Sequence, residues 1–120
     1  ATKGQRLSFE VFAARLASPL DPVIRLLDNA GRELAYSDDE PGLGADGRFS
    51  YQFERDGTYF VEVRDIRYAG NANYRYRLRI GDFPLVNATY PLAVAAGESA
   101  QLEFAGPSTE SLPPVKVSHP

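Results

Sequence analysis

Val23-Ile24-Arg25-Leu26-Leu27-Asp28-Asn29-Ala30-Gly31-Arg32-Glu33-Leu34-Ala35-Tyr36 decides the fold class. An apolar run, interrupted only by Arg25, follows Pro22 and stops at Asp28-Asn29-Ala30-Gly31, a cluster of residue types that favour tight turns. Glu33 to Tyr36 then reads as the return strand of a hairpin. Working outward, the same period of two recurs. Leu7, Phe9 and Val11 alternate with Ser8 and Glu10, and Phe49, Tyr51 and Phe53 alternate with Ser50, Gln52 and Glu54. Arg55-Asp56-Gly57 turns the chain into a run from Thr58 to Arg64 in which Tyr59, Val61 and Val63 share a face. Tyr74, Tyr76, Leu78 and Ile80 alternate with Arg75, Arg77 and Arg79. Short strands with one apolar face each, separated by Gly, Asp and Asn turns, describe an antiparallel sandwich. Phe12 to Leu16 reads either as a bulge or as a short helical turn.

A boundary is expected near Gly81-Asp82-Phe83-Pro84, dividing the chain into 1–82 and a β-rich extension, 83–120. Beyond it the composition shifts towards Ala, Pro and Ser, and a second alternation is expected, with Leu92 and Val94 in one strand and Leu102 and Phe104 in another. So short a segment is near the lower size at which a domain folds without staples. It is expected to pack on the first domain or to begin a second sandwich. The chain reads as an excerpt of a longer protein.

Composition limits the function classes. The 120 residues carry a formal charge of −3 from 13 basic and 16 acidic side chains, which gives no reason to expect nucleic acid or an anionic membrane as partner. With no cysteine, disulfides, zinc–thiolate sites and thiol nucleophiles are excluded. No run approaches the roughly 18 apolar residues of a membrane span. Catalysis finds little support: the single histidine, His119, lies beside the C-terminal Pro120, a poor place for a rigidly held base. Asp38 and Asp39 are neighbours whose side chains diverge on an extended chain, so they do not make a facing acid–base pair.

The acids point instead to a metal. Tyr36-Ser37-Asp38-Asp39-Glu40 is followed by the Gly-rich Pro41-Gly42-Leu43-Gly44-Ala45 and then Asp46. Clustered carboxylates repel one another unless solvent or a hard cation sits among them, and oxygen-only ligands favour calcium. Asp38, Asp39 and Asp46 are the expected ligands, with Asp21 or Asp65 approaching from neighbouring loops. A solvated or hydrogen-bonded acidic turn is the competing reading. The Arg75/Arg77/Arg79 stripe reads as cross-strand ion pairing with outward acids rather than a polyanion site. Tyr36, Phe60 and Tyr68 are expected outward, where flat rings stack on a sugar or contact a peptide, whereas Tyr74 and Tyr76 are assigned to the core. Asn87-Ala88-Thr89 matches a glycosylation sequon and reads as a loop.

The ordered series Gly4-Gln5-Arg6-Leu7-Ser8-Phe9, Leu20-Asp21-Pro22-Val23-Ile24-Arg25-Leu26-Leu27-Asp28, Gly31-Arg32-Glu33-Leu34-Ala35, Ser37-Asp38-Asp39, Asp46-Gly47-Arg48-Phe49, Gly57-Thr58-Tyr59-Phe60-Val61-Glu62-Val63 and Tyr74-Arg75-Tyr76-Arg77-Leu78-Arg79-Ile80 resembles the bacterial pre-peptidase C-terminal domain. It does so over residues 4–80, about two-thirds of the chain. Phe83-Pro84-Leu85-Val86, Tyr90-Pro91-Leu92 and Gly97-Glu98-Ser99 resemble the opening of an immunoglobulin-like module. The first resemblance implies a jelly-roll-like β-sandwich carried as an accessory module on secreted or cell-surface bacterial proteins, often peptidases. It also implies a likeness to carbohydrate-binding modules and to the collagenase modules that bind calcium and matrix polymers. The chain departs from the latter: its first residues, Ala1-Thr2-Lys3-Gly4, lack the acidic segment that supplies several of their calcium ligands. Two functions follow as expectations. One is a non-catalytic module binding an extracellular polymer, protein or polysaccharide. The other is a purely structural domain that assembles neighbouring domains and has no ligand. Outward aromatic rings grouped on one sheet face would favour the first, and their dispersal the second.

Overall fold

Nine antiparallel strands and one 3-10 turn make up the secondary structure of the computed structural model, which describes residues 1–40 and 42–119. Pro41, in the expected Gly-rich loop, and Pro120 lie outside the described residues. The chain is all-β and divides into two compact units, Ala1–Gly81 and Asp82–Pro120.

In the first unit, β1 (Arg6–Phe12) lies between β4 (Arg48–Gln52) and β6 (Arg77–Gly81). The second sheet places β2 (Pro22–Leu27) between β3 (Glu33–Ser37) and β5 (Phe60–Asp65). The two central strands supply most of the fully buried apolar side chains, since a central strand is screened on both edges as well as on its inner face. Phe9 and Val11 of β1, Ile24 and Leu26 of β2, and Phe53 form one buried cluster. Leu7, Phe49, Val61, Val63, Leu34 and Leu78, from the other strands and from β1 itself, pack against it, so two sheets close over one core as a β-sandwich. The Phe9 and Phe49 rings stack at 4.9 Å, and Phe53 meets Tyr59 at 4.6 Å.

Turn chemistry fixes the hairpin. Asp28 accepts bonds through Oδ1 from the N–H groups of Ala30 and Arg32, both at 2.9 Å, while Gly31 takes the left-handed φ of 79° that the turn requires. A second glycine is needed for space. A side chain on Gly47 would come within 3.1 Å of the Ser37 carbonyl and 3.2 Å of Ile24.

The segment Phe12 to Leu16 resolves as the helical alternative, a 3-10 turn over Ala14–Leu16. Its free N–H groups are satisfied from elsewhere in the chain. Asp46, fully buried in the loop between β3 and β4, accepts bonds from the N–H of Ala13 (2.7 Å), Ala14 (2.8 Å) and Arg15 (3.3 Å), and from Arg15 Nε (2.6 Å). Arg15 also reaches Glu10 at 3.2 Å and lies over the Phe12 ring at 4.0 Å. Glu10, on the outward side of β1 but buried, faces Arg79 at 3.9 Å as well.

Two expectations change here. Tyr76, assigned to the core, is 51% exposed, and Tyr74 is only half-buried, because pairing of β6 with β1 begins at Arg77 and leaves both rings in the preceding loop. In the second unit Leu92 and Val94 form no strand. The sheet is β7 (Ala88–Tyr90), β8 (Ser99–Ala105) and β9 (Val115–Ser118) with β8 central, and Leu92 stands exposed in the bend after β7.

Burial pushes the Asp46 carboxyl up, but the Arg15 guanidinium and the three backbone N–H groups outweigh it and hold it below the usual aspartate value. A depressed folded-state value stabilises the fold above the ordinary value of about 3.9, and that contribution is lost as pH falls through the lower value. Asp46→Ala is expected to destabilise the first unit by about 2–3 kcal/mol in urea unfolding at neutral pH. Asp46→Asn should flatten the loss of stability of the native chain below about pH 4.

Candidate binding face

Alternation along β2 turns Ile24 and Leu26 into the core and Val23, Arg25 and Leu27 to the opposite face of the sheet. Register then sets what stands beside them. Arg25 lies between Tyr36 of β3 and Glu62 of β5, Leu27 between Glu33 and Phe60, and Val23 beside Arg64. With strands about 4.8 Å apart, each three-residue row spans about 10 Å.

Arg25 organises this face. It contacts Glu62 through Nη2 at 2.7 Å and Nε at 3.2 Å, a bidentate pair, and reaches Glu33 at 3.2 Å. Glu62 also accepts from Arg64 Nε at 3.1 Å. The Arg25 bond holds the Glu62 carboxyl below its usual value, against burial, so it stays ionised near neutral pH. The guanidinium of Arg64 in turn lies beneath the Tyr68 ring, 4.5 Å from its centroid. Tyr68 holds a left-handed φ of 58°, uncommon for a side chain of its size.

The three residues expected to bind a ligand therefore share one face. Tyr36 is 45% exposed, Phe60 56% and Tyr68 77%. Tyr36 donates its hydroxyl to Asp38 at 2.8 Å, which fixes the ring's direction. The sequence reading missed Arg25, Glu62 and Arg64 as the frame between the rings. The available signal was a lone arginine in an apolar run, with a Glu at an outward position of another strand.

Of the five acids proposed as calcium ligands, Asp46, Asp65 and Asp38 have carboxylate partners within the chain. Asp46 is saturated by the bonds described above. Asp65 is also buried, accepting from the Asp21 N–H at 3.1 Å through one oxygen and from Arg67 (2.8 Å) and Ala69 (3.1 Å) through the other. It organises the loop that carries Tyr68, and those N–H bonds, led by that of Asp21, hold its carboxyl below the usual value. Asp38 receives Tyr36 Oη and the Asp39 N–H at 2.8 Å. Asp21 joins this set through its main chain, its carbonyl accepting the Ile66 N–H. Asp39 is exposed. Among the described residues no three His, Cys, Asp or Glu side chains are grouped so as to hold a metal ion. Of the arginine stripe, Arg79 meets an acid, Glu10.

No protein-family model, curated protein or solved structure matches this chain. Among the described residues no helix is long and apolar enough to cross a membrane.

With the carboxylates of Asp38, Asp46 and Asp65 engaged by N–H and O–H donors, the native chain is expected to give no calcium response. The melting temperature of the native chain should be the same in millimolar calcium and in chelator. A rise with calcium that Asp39→Ala removes would restore the metal site.

Proposed function

We propose that the first unit is a non-catalytic accessory module of an exported protein, which binds an extended extracellular polymer across the outer face of β3, β2 and β5. The observation that carries this reading is the grouping of Tyr36, Phe60 and Tyr68 on one sheet face, around an ion-paired frame that holds its own side chains still. Rings with few rotatable bonds offer contact area at low entropic cost, and a frame already paired loses little freedom on binding. The strained backbone of Tyr68, buttressed by Asp65, is the kind of local strain that concentrates at binding sites. The resemblance to pre-peptidase C-terminal domains supports the exported setting and the polymer, protein or polysaccharide, as target. All three rings are exposed, as contact with a long chain requires. His119, in the second unit just beyond β9, binds Gly97 and Glu98 through its main chain, which suits a structural place better than catalysis.

One observation favours the alternative, a purely structural or assembly role, for the second unit. None of its strand residues is buried, and Tyr90 and Val115 stand well exposed. Assembly with neighbouring domains would cover such a sheet.

The test is co-sedimentation of the whole chain with insoluble polymers, collagen fibrils, cellulose, chitin and peptidoglycan among them. At least one should retain the native chain and release the triple variant Tyr36→Ala, Phe60→Ala, Tyr68→Ala, whose melting temperature should stay close to native because all three rings are exposed. Equal retention of native and variant chains, or retention by none of the polymers, would defeat the reading.

A further inference from the structure

The first unit carries a recess that shares no residue with the aromatic face. It is a cleft of about 260 Å³ where the β2–β3 hairpin meets the turn between β4 and β5. That volume lies just under the range of pockets for drug-sized ligands, room for one small ring rather than a length of polymer. Both walls are fixed. Asp28 ties down the hairpin through Ala30 and Arg32, and it pairs with the Arg32 guanidinium at 3.1 Å. The facing turn is held by three contacts: Gly57 with the main chain of Ala1 at 3.0 Å, Asp56 with the Lys3 N–H at 2.6 Å, and the Tyr59 hydroxyl with the Arg55 carbonyl at 2.8 Å.

Polar side chains line this recess between its two held walls. Asn29, Tyr51, Glu54, Arg55 and Thr58 line it; Tyr51 is half-buried and the other four are exposed, so their polar groups are open to a ligand. They mix donors and acceptors. The charges nearly cancel, since Asp28 is paired with Arg32 and Arg55 opposes Glu54 and Asp56. Tyr51 and Tyr59 add aromatic surface between them. A strong anion would meet the acids and a cation would meet the arginines. A neutral ring bearing many hydroxyls suits all of them at once, each hydroxyl able to donate to a carboxylate and accept from a guanidinium or amide, with its C–H face against a tyrosine. We infer that this cleft is a binding site for a single neutral sugar ring.

Chemical-shift mapping of the isotope-labelled whole chain tests it, with methyl glucoside, methyl galactoside and N-acetylglucosamine as probes at tens of millimolar, and inorganic phosphate and lysine as controls. At least one sugar should move the amides of Asn29, Arg32 and Thr58 saturably. Tyr51→Phe and Arg55→Ala should each weaken that response roughly fivefold, the loss of one hydrogen bond, with the melting temperature unchanged. The inference fails if no sugar shifts these amides, if phosphate or lysine shifts them and the sugars do not, or if both variants respond like the native chain. Shifts confined to Tyr36, Phe60 and Tyr68 would also sink it while leaving the polymer-binding face standing. Loss of that face would not touch the cleft.

Discussion

The buried Asp46 carboxylate is the constraint on which the first unit depends. It sits in the loop after β3 and binds the turn after β1, positions 31 to 33 residues apart in sequence. Because β1 is central to one sheet and β3 an edge of the other, this contact ties the two layers together by charge-assisted hydrogen bonds as well as by the apolar core. A buried charge is tolerable only when every oxygen is satisfied, and here the donors come from a 3-10 turn that needed acceptors. Each half resolves the other's unmet hydrogen-bonding need. Gly47, next in sequence, lets the loop press against Ser37 and Ile24, and its carbonyl accepts the Val11 N–H at 3.0 Å, so the latch and the two central strands form one packed unit.

Ionic pairing repeats on the outer face, in a more exposed setting and with a different consequence. Arg25, Glu62, Glu33 and Arg64 are partly open to solvent, so their pairing adds little to stability. What it adds is order. A bidentate guanidinium holds a fixed plane, Glu62 is held from two sides, and Arg64 supports the Tyr68 ring. The acids near the ends of these strands serve the same purpose. Asp38 steers Tyr36, and Asp65 shapes the loop that presents Tyr68. Carboxylates that in sequence resemble a metal cluster are thus distributed as local supports for the sheet and its rings.

Legibility in the sequence followed the range of the interaction. Alternation and turn chemistry are local, and they located β1, β2, β4 and β5 and the Asp28–Gly31 turn closely, as well as the outward placement of Phe60 and Tyr68. Misreadings arose where pairing partners decide the outcome. Tyr74 and Tyr76 continue the alternation of Leu78 and Ile80, but β1 ends its pairing at Arg77, and nothing local marks that stop. Leu92 and Val94 alternate over too few residues, in a Pro- and Ala-rich stretch, to overrule the bend after Tyr90. Asp46 was the hardest. From sequence it is one acid in a Gly-rich loop, and its partners, Ala13, Ala14 and Arg15, are backbone groups on a distant turn that leave no compositional trace. Arg25 was legible only as an exception within an apolar run. Its meaning lay in Glu62, 37 residues away.

The two arrangements together explain how exposed rings can be held in defined positions. An exposed surface gains specificity only if its contact groups are already placed, since loose rings would lose on ordering what they gain in contact. Here β2 contributes to both sides at once. Its inner residues Ile24 and Leu26 are locked in the core, and its outer Arg25 is locked between Glu62 and Glu33. Any twist or slip of β2 would have to break the core packing, the ion pairs and the close approach of Gly47 to Ile24 together. The rigidity of the aromatic face is therefore inherited from the centre of the sandwich, and the central apolar run that identifies the fold also holds its exposed surface in place.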